Sequence, residues 1–175
     1  MQHWLMQRRT LLRLGLGGAV LLTLAGGGLA LLRPGVRDGR LTASGRAVFA
    51  AVARAVLDGA LPAAPPDAHA SALEAHLQRL DGTLGGLAPH ARAEVSQLLA
   101  LLSAAPGRMA LCGLDDDWAV AQVSAVQVAL QKMRTSSLDV RQQAYHALRD
   151  LTNAAYFADP QTWPLLGYPG QRTLS

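Results

Sequence analysis

The chain has 175 residues, half of them hydrophobic but only 5% aromatic, with 16 Lys and Arg against 12 Asp and Glu. The net charge of +4 is unevenly spread: residues 1–40 hold six Arg and one Asp, residues 41–175 are slightly acidic, and so the body carries no basic footprint for nucleic acid. A single cysteine, Cys112, excludes an intrachain disulfide, and it excludes a zinc ribbon or cysteine-ligated iron–sulfur cluster made by this chain alone.

The first 33 residues read as a leader. Arg8-Arg9-Thr10-Leu11-Leu12-Arg13 precedes an uncharged apolar run from Leu14 to Leu32. A paired arginine before an apolar segment resembles a twin-arginine export signal, which carries folded proteins across the bacterial inner membrane. In that pattern Leu11 and Leu12 take the Phe-Leu positions and Arg13 the Lys position, while Gln7 departs from the usual Ser/Thr. As a helix the run would measure about 28 Å, close to the hydrocarbon core of a bilayer. An uncleaved anchor and a general secretory signal therefore stand as alternatives. Six glycines keep the run only mildly hydrophobic, which suits a twin-arginine leader better than a strong anchor. Residues 34–41 follow as a linker.

The remainder, 42–175, reads as one all-α domain: a bundle of about five helices with an irregular tail rich in aromatics and proline. The first helix is expected from about Ala43 to Asp58, capped by Thr42 or Ser44 and stopped by Gly59, with Val48, Phe49, Val52, Val56 and Leu57 near one face. Pro65-Pro66-Asp67 marks a rigid link and a new start. The second helix is expected from Ala68 to Leu80, with the stripe Leu73, Leu77, Leu80 and Leu84, broken by Gly82, Gly85 and Gly86. The third begins near Pro89, a favoured first-turn residue, carries Val95, Leu98, Leu99, Leu101 and Leu102, and ends before Pro106-Gly107. The fourth is expected after Asp115-Asp116-Asp117, whose charge suits a helix N-terminus, with Val120, Val123, Val126 or Gln127, and Leu130 inward. The fifth follows Ser136-Ser137 and ends near Phe157, presenting Tyr145, Leu148, Leu151 or Thr152, and Tyr156.

A search for chemistry finds little in the body. His69 and His76 lie seven apart, roughly on one helix face, but without a carboxylate partner or an HExxH pattern; they read as solvated surface histidines. The Asp115–Asp117 run lacks the alternating ligands, central glycine and closing Glu of a calcium loop. The glycine clusters lack the Lys-Ser/Thr of a P-loop, and no GxSxG elbow occurs. Cys112 reads as a small apolar residue near a turn. No catalytic, cofactor-binding or metal-ligating residue is expected in this chain. The tail is different: Tyr156 to Gly170 packs four of the chain's eight aromatic residues with Pro and Gly, the composition of a rigid contact surface. That surface closes the domain's own core, meets a partner, or does both.

That tail resembles the ending of the gluconate 2-dehydrogenase subunit 3 family. The family closes on Tyr-Tyr-x-x-Pro-x-x-Trp-x-x-Leu-Gly-Tyr-Pro-Gly, and here Tyr156, Pro160, Trp163, Leu166, Gly167, Tyr168, Pro169 and Gly170 match, with Phe157 in place of the second Tyr. Leu41-Thr42 through Ala53 resembles the family's opening helix, and Arg8 and Arg9 match its leader. The resemblance implies a non-catalytic accessory subunit that supplies the export signal to a large flavin-dependent partner. That partner would be similar to glucose-methanol-choline oxidoreductases, hold FAD, and oxidise an alcohol or sugar. It further implies contact with the twin-arginine translocon, electron transfer from the partner to a cytochrome c subunit or the quinone pool, and a periplasmic site at the inner membrane, held by the leader if it stays uncleaved. Tyr156, Trp163, Leu166, Gly167, Tyr168 and Pro169 are the expected partner-binding residues; Arg8, Arg9, Leu11, Leu12 and Arg13 are the expected export signal. The alternative reading is a stand-alone periplasmic or membrane-anchored helical binding module, with a small enzyme of unrecognised site as a third.

Overall fold

The structure, a computed structural model, describes residues 33–167. A short antiparallel hairpin, β1 (Val36–Arg37) and β2 (Arg40–Leu41), leads into six helices. These are α1 (Ala43–Val56), α2 (Pro66–Gly85), α3 (Pro89–Ser103), α4 (Ala105–Cys112), α5 (Val123–Arg134) and α6 (Asp139–Phe157), followed by a 3-10 turn at Pro160–Leu166. The domain is an all-α bundle.

The central helix is α1, which packs on α2, α3, α5 and α6. Its sequence explains the position. Val48, Phe49 and Val52 supply bulk, and Ala51, Ala53 and Ala55 let neighbours approach from the remaining sides, so all six are buried. Thr42 caps it: its Oγ1 accepts from the Gly45 amide at 3.4 Å and donates to the Pro34 carbonyl at 2.9 Å. The cap thereby also ties the helix to the chain just before the hairpin.

Residues 34–41, expected as a linker, contain the hairpin and are packed on the helices. They fold back as the hairpin, with Val36 and Leu41 buried. Gly35 N–H donates to the Ser96 carbonyl, and Ser96 Oγ both accepts from Val36 N–H and donates to the Val36 carbonyl, which fastens β1 to α3. Leu41 N–H donates to Asp81 Oδ1 at 2.7 Å, which fastens β2 to α2. The turn is Asp38-Gly39, both with positive φ (52° and 76°), the pair of left-handed residues that a two-residue hairpin loop requires.

Two helix boundaries differ from the sequence expectation, and one helix was not expected. First, α2 runs through Gly82 to Gly85. Leu84, fully buried, continues the face of Leu77 and Leu80, and this burial outweighs the roughly 1 kcal/mol that a helical glycine costs. Second, Pro106 opens a helix. The chain turns through about 100° at an extended Ala104, and Pro106 sits in the first turn of α4, where no intrahelical N–H bond is lost. Gly107 makes the corner possible, because a Cβ there would collide with the Leu101 carbonyl. Third, Asp115–Asp117 does not cap α5, which starts at Val123. Asp117 instead caps a single turn, accepting from Ala119 N–H at 3.0 Å. Val120, expected inward, is 70% exposed, and Trp118 takes the core position, donating its indole N–H to the Leu102 carbonyl at 2.7 Å. Within α5 the inward residue is Val126, while Gln127 reaches out to the Ala55 carbonyl and Asp58.

Candidate functional site: the C-terminal segment and its seat

The last turn of any helix leaves carbonyls without intrahelical partners. At the end of α6 these carbonyls are where the C-terminal segment is attached. Arg79 of α2 donates its Nε–H to the Ala155 carbonyl at 3.0 Å. The Thr162 hydroxyl shares its one proton between the Asp159 carbonyl at 2.8 Å and the Tyr156 carbonyl at 3.2 Å. The Trp163 indole N–H donates to the Phe157 carbonyl at 2.9 Å. Three consecutive carbonyls are thus met, two of them by the segment's own side chains.

Asp159 joins the segment to the body. One carboxylate oxygen accepts from Gln161 N–H at 3.0 Å and caps the 3-10 turn; the other pairs with Arg79 at 3.2 Å. Tyr156 is buried, with its hydroxyl donating to the Ala60 carbonyl at 3.1 Å, and burial raises its pKa. Its ring meets Phe157 edge-on at 5.2 Å. Around it, Ala53, Leu57 and Leu61 form a small apolar cluster separate from the main core. Gly167 ends the 3-10 turn in a left-handed conformation (φ 68°) with its N–H on the Pro164 carbonyl.

Of the expected partner-binding residues, the fold therefore brings Tyr156, Trp163 and Gly167 to one end of α6. Tyr156 serves the interior, and Trp163 is half-buried against the helix end. Leu166 is the last residue of the 3-10 turn. Tyr168 and Pro169 lie outside the described residues, as do the expected export residues Arg8, Arg9, Leu11, Leu12 and Arg13.

The histidine expectation needs correction. His69 does lie at the surface, with Nδ1 2.9 Å from the Pro62 carbonyl. His76 has no exposed surface at all. It stands three residues after Leu73 and four before Leu80, inside the apolar stripe of α2, and that spacing is the signal the sequence carried. Its ring faces Tyr156 at 6.5 Å between centroids, and neither ring nitrogen has a protein partner. Burial, with a smaller contribution from nearby Arg79, lowers its pKa from 6.5 to about 4. Thr152, one turn before Tyr156 on α6, is also fully buried with an unpartnered hydroxyl.

Cys112 is buried, its thiol 3.0 Å from the Arg108 carbonyl, and burial pushes its pKa up to about 11, the character of an inert core thiol. Among the described residues no three His, Cys, Asp or Glu side chains are grouped to hold a metal ion. A shallow groove of about 340 Å³ lies between the end of α4 and the face of α5, with Leu114, Ala125 and Val128 along it and Asp115, Asp116 and Lys132 at its edges. Among the described residues no single helix is long and apolar enough to cross a membrane. No family model, curated protein or solved structure matches the chain.

Proposed function

We propose that this chain is the non-catalytic small subunit of a periplasmic flavin-dependent dehydrogenase. In this reading it supplies the twin-arginine signal for a folded, FAD-loaded large subunit of the glucose-methanol-choline type and stabilises that subunit after export. The large subunit oxidises an alcohol or sugar; the small one holds no cofactor.

The observation that carries this reading is the run from Tyr156 to Gly170, whose motif resembles the close of the subunit 3 family. Its first part is seated on the end of α6 by two side-chain bonds to carbonyls, from Thr162 and Trp163, and on α2 by the Asp159–Arg79 ion pair. A segment fixed in this way presents its remaining faces at little entropic cost, which is what an interface anchor needs. The Arg8-Arg9 pair ahead of an apolar run supports the export half of the proposal.

The test is a pull-down of C-terminally tagged protein from native cells, with an absorbance scan of the eluate. A co-purifying large subunit with a flavin spectrum is expected. A lone, colourless protein would overturn the proposal and leave the stand-alone binding module, for which the groove beside α5 is then the place to look. Arg8→Lys combined with Arg9→Lys is expected to strand both subunits in the cytoplasm. An unchanged location of the large subunit would refute the export role.

A further inference from the structure

We propose that His76 is an acid-operated latch on the C-terminal segment: protonation of its buried ring opens the α2–α6 contact at Tyr156 and lets residues 158–167 leave the body while the main core stays folded.

The geometry has three parts. The first is that His76 has no exposed surface and no hydrogen-bond partner on either nitrogen, so a proton arriving there creates an unpaired charge in an apolar site. The second is the neighbour it meets. Tyr156, ring against ring with His76, is the residue whose carbonyl and side chain hold the segment's start: Thr162 hangs on its carbonyl, and its own hydroxyl reaches Ala60. The third is Arg79, one turn further along α2. It carries the tether to Asp159 and Ala155, and its positive charge repels a protonated His76.

The charged groups on the surrounding elements do not offset that charge. On α1, Arg46 is engaged by Glu74 and Asp81, and Arg54 points to the Trp118 carbonyl. On α2, Glu74 and Asp81 are committed to Arg46, and Arg79 adds repulsion. On α6, Tyr156 is neutral in this range, and Arg149 and Asp150 are exposed and paired with each other. The carboxylate at the start of the segment, Asp159, is held by Arg79. The imidazolium is relieved by moving outward, and the movement separates the helix face that Tyr156 packs on.

The opening is local because Tyr156, where the segment begins, belongs to a small apolar cluster of its own. Ala53, Leu57, Leu61 and Tyr156 form it, apart from the main core that contains Trp118, Phe49 and Leu99. Low local stability at such a satellite allows sub-global opening ahead of global unfolding.

The experiment is an NMR titration of the full chain from pH 7 to pH 4, following the His76 ring and the indole N–H signals of Trp163 and Trp118. The Trp163 indole is bonded to the Phe157 carbonyl and reports the segment; the Trp118 indole is bonded to Leu102 and reports the core. The expected result is that Trp163 and His76 titrate together below pH 6.5 while Trp118 does not move. In His76→Phe the Trp163 transition should vanish from this range. Three results would overturn the latch: Trp163 unmoved down to pH 4, Trp163 and Trp118 moving together, or Trp163 moving without the His76 ring titrating. Release at unchanged pH in His76→Phe would also overturn it, because the event would then not depend on the His76 ring. If that variant does not fold, the coincidence or separation of the three wild-type signals still decides.

Discussion

Two glycines in helices are expected to respond to the same substitution with opposite signs. Gly45 lies in the first turn of α1, and a Cβ there would collide with the Gly35 carbonyl oxygen and stand 3.3 Å from Leu41 Cδ2. Gly82 lies late in α2, exposed, with nothing within 4 Å of where its Cβ would be. Helix propensity alone favours alanine by about 1 kcal/mol at both positions. At Gly82 nothing opposes it, so Gly82→Ala should stabilise the protein by about 1 kcal/mol. At Gly45 the obstacle is backbone, not a side chain that can rotate away, so the upper part of the ~1–3 kcal/mol range for overpacking applies. Moving the Gly35 carbonyl also disturbs the bonds from Thr42 N–H to Gly35 and from Gly35 N–H to Ser96, which hold the hairpin to α1 and α3. The net expectation for Gly45→Ala is a loss of about 2 kcal/mol, a large part of a stability that for such domains totals roughly 5–15 kcal/mol. Urea unfolding followed by circular dichroism, with both variants compared to wild type at equal slope, measures the difference. A Gly45→Ala protein as stable as wild type would show that the hairpin does not press on α1, and the account of residues 34–41 would fall with it.

His76→Leu should change the pH dependence of stability. The folded protein holds His76 near a pKa of about 4 against 6.5 when unfolded, so the unfolded chain binds more protons between these values. The contribution is fully present above pH 6.5, falls as the pH drops through this window, and is lost by pH 4, a total of about 3 kcal/mol. In the leucine variant that slope should disappear, and at pH 7.5 stability should rise by about 1 kcal/mol, because two unpartnered polar nitrogens are gone. Equal wild-type and variant slopes between pH 4 and 6.5 would sink this expectation. Tyr156→Phe removes the bond to the Ala60 carbonyl while keeping the ring, and should cost about 1 kcal/mol in the same urea assay. No loss would mean that this carbonyl is equally satisfied by solvent.

The helices were legible where a stripe of large apolar residues repeats with helical spacing. Leu77, Leu80 and Leu84, then Leu98, Leu99 and Leu102, are buried as their spacing implies. Punctuation was less reliable than pattern. Gly82 was expected to break a helix and sits inside one; Pro106 does follow the end of α3 as expected, but it also opens a further helix, because tertiary burial and first-turn geometry decide what these residues do. The hairpin did carry a signal, Asp38-Gly39, but its flanking strands are two residues each, too short to show alternation. His76 was legible from its place between Leu73 and Leu80, and was misread because a polar residue type was given more weight than its position. What no local pattern could supply is the meeting of Arg79 with Ala155 and Asp159, or of Tyr156 with Ala60, contacts between residues 76 to 96 positions apart.

Those long-range contacts bear on how the closing motif divides its work. A motif resembling that of a family of accessory subunits invites the view that all its residues face a partner. Here Tyr156 is buried and its hydroxyl is spent on Ala60, so it can influence a partner only by holding the segment in place. Thr162, at a position the motif leaves variable, is buried and shares its hydroxyl proton between the Asp159 and Tyr156 carbonyls, so it contributes to the seat alongside the motif residues. Asp159 bridges the two parts, with one oxygen for the turn and one for Arg79. Arg79 comes from α2, so the part of the seat it supplies forms only after α6 and α2 have packed, whereas the Thr162 and Trp163 bonds are local to the end of α6. The ion-paired arrangement of the segment is therefore completed only on the folded domain. In the proposed complex, that would make the full contact surface available only once this chain has folded.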